Sequence, residues 1–353
     1  MSKRFNPVLL RHPAWRWVIF SLLIVYAAWR LMPYADFDGP DNGFDLSDPL
    51  IPASAIEQGG PPRDGIPAID HPHFVVAAKA RFLRPQDPVL GLEYAGVTRA
   101  YPVKILDRHE IVNDVTGSES VVISYCPLCG SGMAFSARID SRNLDFGVSG
   151  LLYNSDVLLY DRQTESLWSQ LMGQAVTGPL RGRKLRQIPV SHTRWAAWLR
   201  RHPDTQVLSI SGGRYADYDQ SPYDGYAQSP SVWFSVAHRD DRYRPKERVI
   251  GITLNGTSKA YPFIELGRHG AVLDDEIAGQ RVQVRFDAGN RTGWISDAGG
   301  RVIPSTVVYW FAWIAFHPDT LVYREAKQAG SADPDAGAVP AAQTALPARP
   351  EIR

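Results

Sequence analysis

The chain has 353 residues with 38 basic and 37 acidic side chains, so its formal net charge is +1. This balance excludes a broad basic surface, and we predict no nucleic-acid partner. Hydrophobic residues make up 44% of the sequence, which is enough for a sizeable core, and the length suggests two domains or one large duplicated domain. The 29 glycines and 27 prolines favour strands and turns over helix bundles.

The N-terminal region has the pattern of a membrane anchor. Residues 1–14 carry three basic side chains and are predicted to stay in the cytoplasm. An apolar run at 17–29 is bracketed by Arg16 and Arg30. At ~1.5 Å per residue, residues 15–32 are long enough to cross a bilayer if the two arginines snorkel to the interfaces. We therefore predict a single-pass signal-anchor in the inner membrane, with the body facing the periplasm or the cell exterior. The alternative is a cleaved signal peptide, because a weak small-residue site lies at 26–28.

The body contains an internal repeat. The segment Gly91–Pro102 recurs 160 positions later as Gly251–Pro262, whereas the tryptophan-bearing segment at 195–205 recurs only 115 positions later at 310–320. The difference of 45 positions between the two spacings predicts an insertion in the first copy, at about residues 140–190. The predicted segments are a Pro/Gly/Asp-rich linker at 33–68, copy one at 69–210, a connector at 211–246, copy two at 247–326 and a disordered tail at 327–353.

Each copy begins with a hairpin around a glycine turn and ends with a short tryptophan-bearing helix before a His-Pro pair. The residue before proline disfavours the helical conformation, so the helix is expected to end there. We therefore predict a mainly β fold with minor α: an internally duplicated antiparallel body with short helices, preceded by one transmembrane helix. His202 and His317 are predicted to cap the helices.

The two cysteines of the chain form the motif Cys126-Pro-Leu-Cys129, in a turn between two predicted strands. Two thiols at this spacing can bind one metal ion or each other. The glycines that follow are a poor start for a helix, which argues against a thioredoxin-type pair. The turn resembles the cysteine knuckle of rubredoxins and zinc ribbons, although the chain has no second knuckle.

The duplication serves as an internal control, because a residue found in one copy alone is a candidate for function. At a constant spacing of 160, Cys126 aligns with Phe286, Cys129 with Gly289, Glu110 with Gly270 and Asn113 with Leu273, while Asp114 aligns with Asp274. His109 aligns with His269, which weakens it as a ligand. The candidate metal ligands are Cys126, Cys129, His109, Glu110 and Met133.

The insertion is rich in polar and aromatic residues that suit a binding pocket. The candidate ligand-binding residues are Asn113, Asn154, Asp156, Asp161, Arg162, Trp168 and Gln170. The alternative is a plain hairpin with an Asp-Arg-Gln-Thr-Glu turn and Trp168 in the core.

Four stretches together resemble one known family. Residues 109–114, 125–129, 147–156 and 160–170 are similar to the signature stretches of the family called domain of unknown function 3179, and the resemblance spans about 65–325. It implies an exported or membrane-anchored bacterial or archaeal protein. It implies no activity.

Three functions remain open on these grounds. The first is a soft-metal site for Cu(I) or zinc, since thiolates favour such ions. The second is a thiol–disulfide protein with a labile bond. The third is a cell-envelope ligand-binding or hydrolytic module built from residues 147–170. We predict no nucleotide cofactor, and the sequence identifies neither a reaction nor a protein or small-molecule partner beyond the membrane.

Overall fold

The computed structural model describes residues 41–210 and 218–325. This part is mainly β, as predicted, with four short helices. The helices are α1 (Val103–His109), α2 (Trp195–Arg201), α3 (Phe263–His269) and α4 (Trp310–Phe316). The strands are β1 (Ile56–Gln58), β2 (His73–Val76), β3 (Pro88–Tyr94), β4 (Val97–Pro102), β5 (Ile111–Thr116), β6 (Glu119–Cys126), β7 (Ser131–Ser136), β8 (Arg138–Ile139), β9 (Arg142–Asn143), β10 (Phe146–Tyr153), β11 (Asp156–Asp161), β12 (Leu167–Ser169), β13 (Gln174–Ala175), β14 (Gln187–Ile188), β15 (Val190–Arg194), β16 (Gln206–Ser209), β17 (Arg248–Leu254), β18 (Thr257–Pro262), β19 (Val272–Ile277), β20 (Gln280–Asp287), β21 (Thr292–Asp297), β22 (Val302–Ile303), β23 (Thr306–Tyr309) and β24 (Leu321–Val322).

The two copies have matching sheets. Copy one contributes sheets in the order β15-β3-β4-β16-β2 and β14-β7-β6-β5, and copy two contributes β23-β17-β18-β24 and β19-β20-β21-β22. The last strand of each copy, β16 or β24, joins its sheet in parallel, whereas the hairpin pairs are antiparallel. The body is therefore built twice on one plan, with β2 as an extra strand of copy one.

The alignment of the copies needs one correction. The Tyr101 hydroxyl donates to Asp114 at 2.5 Å, and in copy two the Tyr261 hydroxyl donates to Asp275 at 2.8 Å. Asp114 therefore corresponds to Asp275, and the predicted match with Asp274 is wrong. The strand pairings show the same shift of one residue throughout the second sheet, because copy two has one extra residue between α3 and β19.

The shift changes the equivalents of the site residues. Cys126 corresponds to Asp287, Cys129 to Asn290 and Asn113 to Asp274, whereas Glu110 and Gly270 remain equivalent at the ends of α1 and α3. The predicted matches of the cysteines with Phe286 and Gly289, and of Asn113 with Leu273, are therefore wrong.

The insertion forms a sheet of its own, in the order β1-β10-β11-β12-β13. Its first strand comes from the segment predicted as a linker, where Phe44 and Ile51 are also buried, 3% and 6% exposed, against the apolar face of this sheet. The described part of that segment, residues 41–68, is thus folded, contrary to the prediction. The buried apolar residues of this segment lie mostly on irregular backbone, so they show no helical or strand periodicity in the sequence.

The helices end as predicted. The main-chain N–H groups of His202 and His317 bond to Trp198 and Trp313 of α2 and α4, and each imidazole stacks on that tryptophan with centroids 4.0 and 3.9 Å apart. Each indole N–H also donates at 3.0 Å to a threonine that follows the helix. These contacts fix both tryptophans against their sheets.

The predicted signal-anchor at 15–32 lies outside the described residues, as does the tail at 327–353. None of the helices within residues 41–210 and 218–325 is long and apolar enough to cross a membrane.

Candidate metal centre

The two cysteines lie in the turn between β6 and β7, as the sequence predicts. Cys126 ends β6, and the Cys129 main-chain N–H approaches its Sγ at 3.4 Å. Gly130 completes the turn at φ +61, where a Cβ would lie 2.6 Å from the Tyr309 ring, so only glycine fits. The side chains of Cys126 and Cys129 are 1% and 0% exposed.

Copy two keeps the turn but not the thiols. There the Asn290 main-chain N–H donates to Asp287 Oδ1 at 3.0 Å, and the Asn290 amide donates to Oδ2 at 2.6 Å. Asp287 is exposed. The turn is therefore a property of the fold, whereas the buried sulfurs belong to copy one alone.

The insertion brings a second turn against the sulfurs. Strands β10 and β11 are joined by a two-residue loop, Asn154-Ser155, with φ of 54° and 62°. Positive φ at both positions is typical of the type I′ turn, which suits asparagine. The Ser155 carbonyl oxygen lies 3.3 Å from Cys129 Sγ and 3.8 Å from Cys126 Sγ. Asp156, the next residue, begins β11 beside the thiols.

Cys126, Cys129 and Asp156 form one buried cluster, in which the two Sγ atoms and a carboxylate oxygen all lie within 4.8 Å of one another. Asp156 Oδ2 accepts from the Leu171 N–H at 2.9 Å, but Oδ1 is buried and has no hydrogen-bond partner in the described part of the chain. Burial raises the pKa of Asp156 to about 7 and also raises that of Cys129. A bound cation would satisfy the free oxygen and favour the anionic forms of all three groups.

Copy two holds this cluster in place. The Tyr309 main-chain N–H donates to the Cys129 carbonyl at 2.8 Å. The Asn154 amide donates to the Ala315 carbonyl at 3.3 Å, and its oxygen accepts from Ala237 N–H at 2.8 Å. The cluster therefore lies where copy one, the insertion and copy two meet, which gives the second copy a structural role.

Further buried ionisable groups surround the cluster. The Tyr223 hydroxyl donates to Glu110 at 3.3 Å, and burial raises the pKa of Glu110 to about 8. Lys246 donates to the carbonyls of Ser229 and Ser231, and its ammonium lies 3.8 Å from the centroid of the Tyr226 ring. Burial lowers the pKa of Lys246 to about 8. Lys246, Tyr223 and Tyr226 were not among the predicted site residues, although all three lie in the predicted connector at 211–246. The three tyrosines within 218–226 are the sequence feature that could have indicated them.

The cluster includes neither His109 nor Glu110. Both ring nitrogens of His109 are occupied, one by the Pro67 carbonyl at 2.8 Å and the other by the Tyr218 hydroxyl at 3.0 Å. Met133 is 2% exposed and belongs to the same hydrophobic core as Cys126 and Cys129. Glu110 bonds to Tyr223 as described. Of the predicted Cys, His and Glu ligands, the described part of the chain brings only the two cysteines into this cluster.

The predicted ligand-binding residues other than Asp156 make structural bonds. Asn113 links β5 to the Phe146 main chain with two bonds of 2.8 Å, and Arg162 pairs with Asp70 at 2.7 Å. Gln170 bonds to the hydroxyls of Ser124 and Ser131, next to the cysteine turn.

The alternative prediction for the insertion, a plain hairpin with Trp168 in the core, agrees with the structure of residues 161–168. Asp161 accepts from the Thr164 N–H at 2.7 Å and from the indole N–H of Trp168 at 2.9 Å. Trp168 is 1% exposed. This end of the insertion is therefore a core-packed turn, whereas its other end carries Asp156 to the sulfurs.

The buried carboxyl of Glu110 makes stability depend on pH. Burial raises the pKa of Glu110 from 4.5 to about 8, so between these values the folded protein keeps a proton that the unfolded chain releases. The free energy of unfolding therefore decreases as the pH rises from about 4.5 to about 8. From pH 6.5 to 8 the loss is about 2 kcal/mol from this group. Glu110→Gln keeps an acceptor for Tyr223, so we expect it to remove that share of the pH dependence.

Urea unfolding of the metal-free protein at pH 6.5 and 8 measures this difference. His192, whose pKa is lowered to about 4 by burial, does not change its charge in the folded state in this range. Glu165→Gln, which changes an exposed carboxylate, is the control. An equal pH dependence in wild type and Glu110→Gln would contradict the assignment.

A family model described as "Protein of unknown function (DUF3179)" matches residues 63–299. No curated protein and no solved structure matches the chain. The matched region contains the cysteine turn, the whole insertion and most of copy two. Since the match covers more than half of the sequence, the chain belongs to this family of proteins of unknown function, DUF3179.

Proposed function

We propose that this protein is a metal-binding protein of the cell envelope, in which Cys126, Cys129 and Asp156 hold one zinc ion. The observation that carries the proposal is the buried cluster of two thiols and a carboxylate within 4.8 Å, with one carboxylate oxygen lacking a partner among the described residues. Ligands about 2.3 Å from a tetrahedral ion lie about 3.8 Å apart. A small inward movement of the side chains is therefore sufficient to bind an ion.

The carboxylate favours zinc over copper. Cu(I) prefers sulfur ligands, whereas Zn²⁺ accepts sulfur, nitrogen and oxygen. Both ring nitrogens of His109, which would complete a Cu(I) site, are bonded elsewhere. Three protein ligands leave a fourth position for water or a substrate, as in catalytic zinc sites.

The redox alternative has less support. A thiol that attacks a disulfide must be reachable and ionised. Both sulfurs are buried, and burial raises the pKa of Cys129. The third alternative, a ligand pocket made by the insertion away from the sulfurs, has no support from the cavities at 266–294, 96–206 and 274–300, because none of the three is lined by residues 147–170.

Location is part of the proposal. The apolar run at 17–29 with its basic flank supports an exported body anchored in the inner membrane by residues 15–32. In that oxidising compartment a bound metal ion would also protect the two thiols from forming a disulfide.

Elemental analysis of the purified full-length protein, with a thiol count under denaturing conditions, tests the proposal. We expect about one zinc per chain and two titratable thiols. Stoichiometric copper instead of zinc would overturn the choice of metal. Fewer than two thiols without metal would support a disulfide. Two thiols with no zinc uptake from added Zn²⁺ would refute the metal site.

A further inference from the structure

Copy two has an open groove beside the end of α3. Its cavity measures about 480 Å³, and its lining includes Leu266, Gly267, Gly270, Arg285, Phe286 and Trp294. We call it the copy-two groove. It does not contain the cysteine cluster, so an inference about it is independent of the metal proposal.

The equivalent surface of copy one is covered by residues 218–226, which we call the covering segment. Tyr218 stacks on His109 with centroids 5.9 Å apart, and the Gln220 carbonyl accepts from Arg108 at 2.8 Å. Further along, Ser221 hydrogen-bonds the Asp107 carboxylate and Tyr223 bonds to Glu110. Copy one therefore shows what this surface of the fold accepts: a tyrosine-bearing segment folded into consecutive turns.

The surface of copy one is buried and the equivalent surface of copy two is exposed, as expected if only the first is covered. Ile111 at the start of β5 is fully buried, whereas its equivalent Val272 is 40% exposed. Glu110 is buried and Gly270 is exposed. Among the described residues, the copy-two groove has no segment over it that corresponds to residues 218–226.

The side chains of the groove suit an acidic occupant. Asp107 and Glu110 of copy one are replaced by Gly267 and Gly270, which removes two carboxylates, and Ser124 is replaced by Arg285. The Arg201 guanidinium also lies 5.4 Å from the Trp294 ring.

One carboxylate, Asp287, remains at the rim, where Asn290 bonds to both of its oxygens. The groove thus presents aromatic and apolar walls with arginine at its edge.

We propose that the copy-two groove binds an acidic segment of a partner protein that carries tyrosine side chains. The covering segment has this chemistry itself, with three tyrosines and two aspartates in Tyr218-Asp-Gln-Ser-Pro-Tyr-Asp-Gly-Tyr226. Tyrosine rings pack against Trp294 and Phe286, and aspartates pair with the arginines.

A synthetic peptide of residues 218–226 with a fluorescent label is the probe, titrated into the full-length protein and followed by anisotropy. We expect saturable binding that Trp294→Ala and Arg285→Glu each weaken at least tenfold. Arg281→Glu makes the same charge change on an exposed part of β20 outside the groove, and it should leave the affinity unchanged. Absence of saturable binding would overturn the proposal, and so would equal weakening by all three variants.

A photo-crosslinking amino acid at Val272 identifies the occupant. The side chain is exposed and lies in the groove, so the replacement should be tolerated. Crosslinks to the added peptide, mapped by mass spectrometry, support the proposal. Crosslinks to residues 326–353 of the same chain, or to a second copy, would overturn it in favour of that occupant.

Discussion

Asp156→Asn is expected to abolish stoichiometric zinc binding, with a loss in affinity of at least 100-fold, while the protein stays folded. The amide can keep the bond from the Leu171 N–H through its oxygen, so the hairpin need not move. Its nitrogen then replaces the oxygen that faces the sulfurs. The lone pair of an amide nitrogen is delocalised into the carbonyl group, so this nitrogen cannot serve as a zinc ligand. Bound zinc by elemental analysis and competition with a chromophoric chelator measure the loss.

Two controls separate the metal from the fold. Glu165→Gln removes a carboxylate from the same insertion at an exposed position, and it should bind zinc like the wild type. The metal-free Asp156→Asn protein should unfold at the same urea concentration as the metal-free wild type, or at a higher one, because a neutral amide is easier to bury than a carboxylate. Retention of one tightly bound zinc in this variant would refute the proposed ligand set.

Gly91→Ala and Gly251→Ala are each expected to destabilise the protein by about 2–3 kcal/mol, through the same clash in the two copies. A Cβ at Gly91 would lie 2.3 Å from the Trp198 ring, and a Cβ at Gly251 would lie 2.2 Å from the Trp313 ring. Neither indole can move easily, because each is bonded to a threonine and stacked on a histidine. Urea unfolding of the two variants measures the change.

Gly267→Ala is the matched control in the same fold. It lies in α3 with no atom nearer than 3.9 Å to a new Cβ, and alanine favours a helix over glycine by about 1 kcal/mol. We therefore expect this variant to be at least as stable as the wild type. If Gly91→Ala were equally stable, the tryptophan helices would not be fixed against their sheets as described.

Local patterns were sufficient for much of the fold. The glycine turns predicted the hairpins β3–β4 and β17–β18, and β-branched residues before Cys126 predicted the strand that leads into the cysteine turn. The repeated His-Pro pairs marked the ends of α2 and α4. These features depend on residues close together in the sequence, where backbone preferences act directly.

The register between the copies could not be predicted in this way. Gly270 and Ala271 follow α3, and the extra residue there shifts every later equivalence by one. An alignment by residue identity does not reveal the one-residue shift, because Asp114 matches either of the adjacent aspartates Asp274 and Asp275. Only the hydrogen bonds from Tyr261 and Tyr101 to their aspartates decide which residue is equivalent.

The repeat, the mainly β fold and the turn with the two thiols could all be predicted before the structure was known, because similar segments and local strand and turn patterns are visible in the sequence. The tertiary structure alone decided the third member of the cluster. Asp156 is 27 positions beyond Cys129 and reaches it only because an I′ turn on the insertion packs against the cysteine turn. The partners of His109 were likewise decided by packing, since the Pro67 carbonyl and the Tyr218 hydroxyl come from distant segments. Such contacts depend on how sheets pack together, which no local pattern encodes.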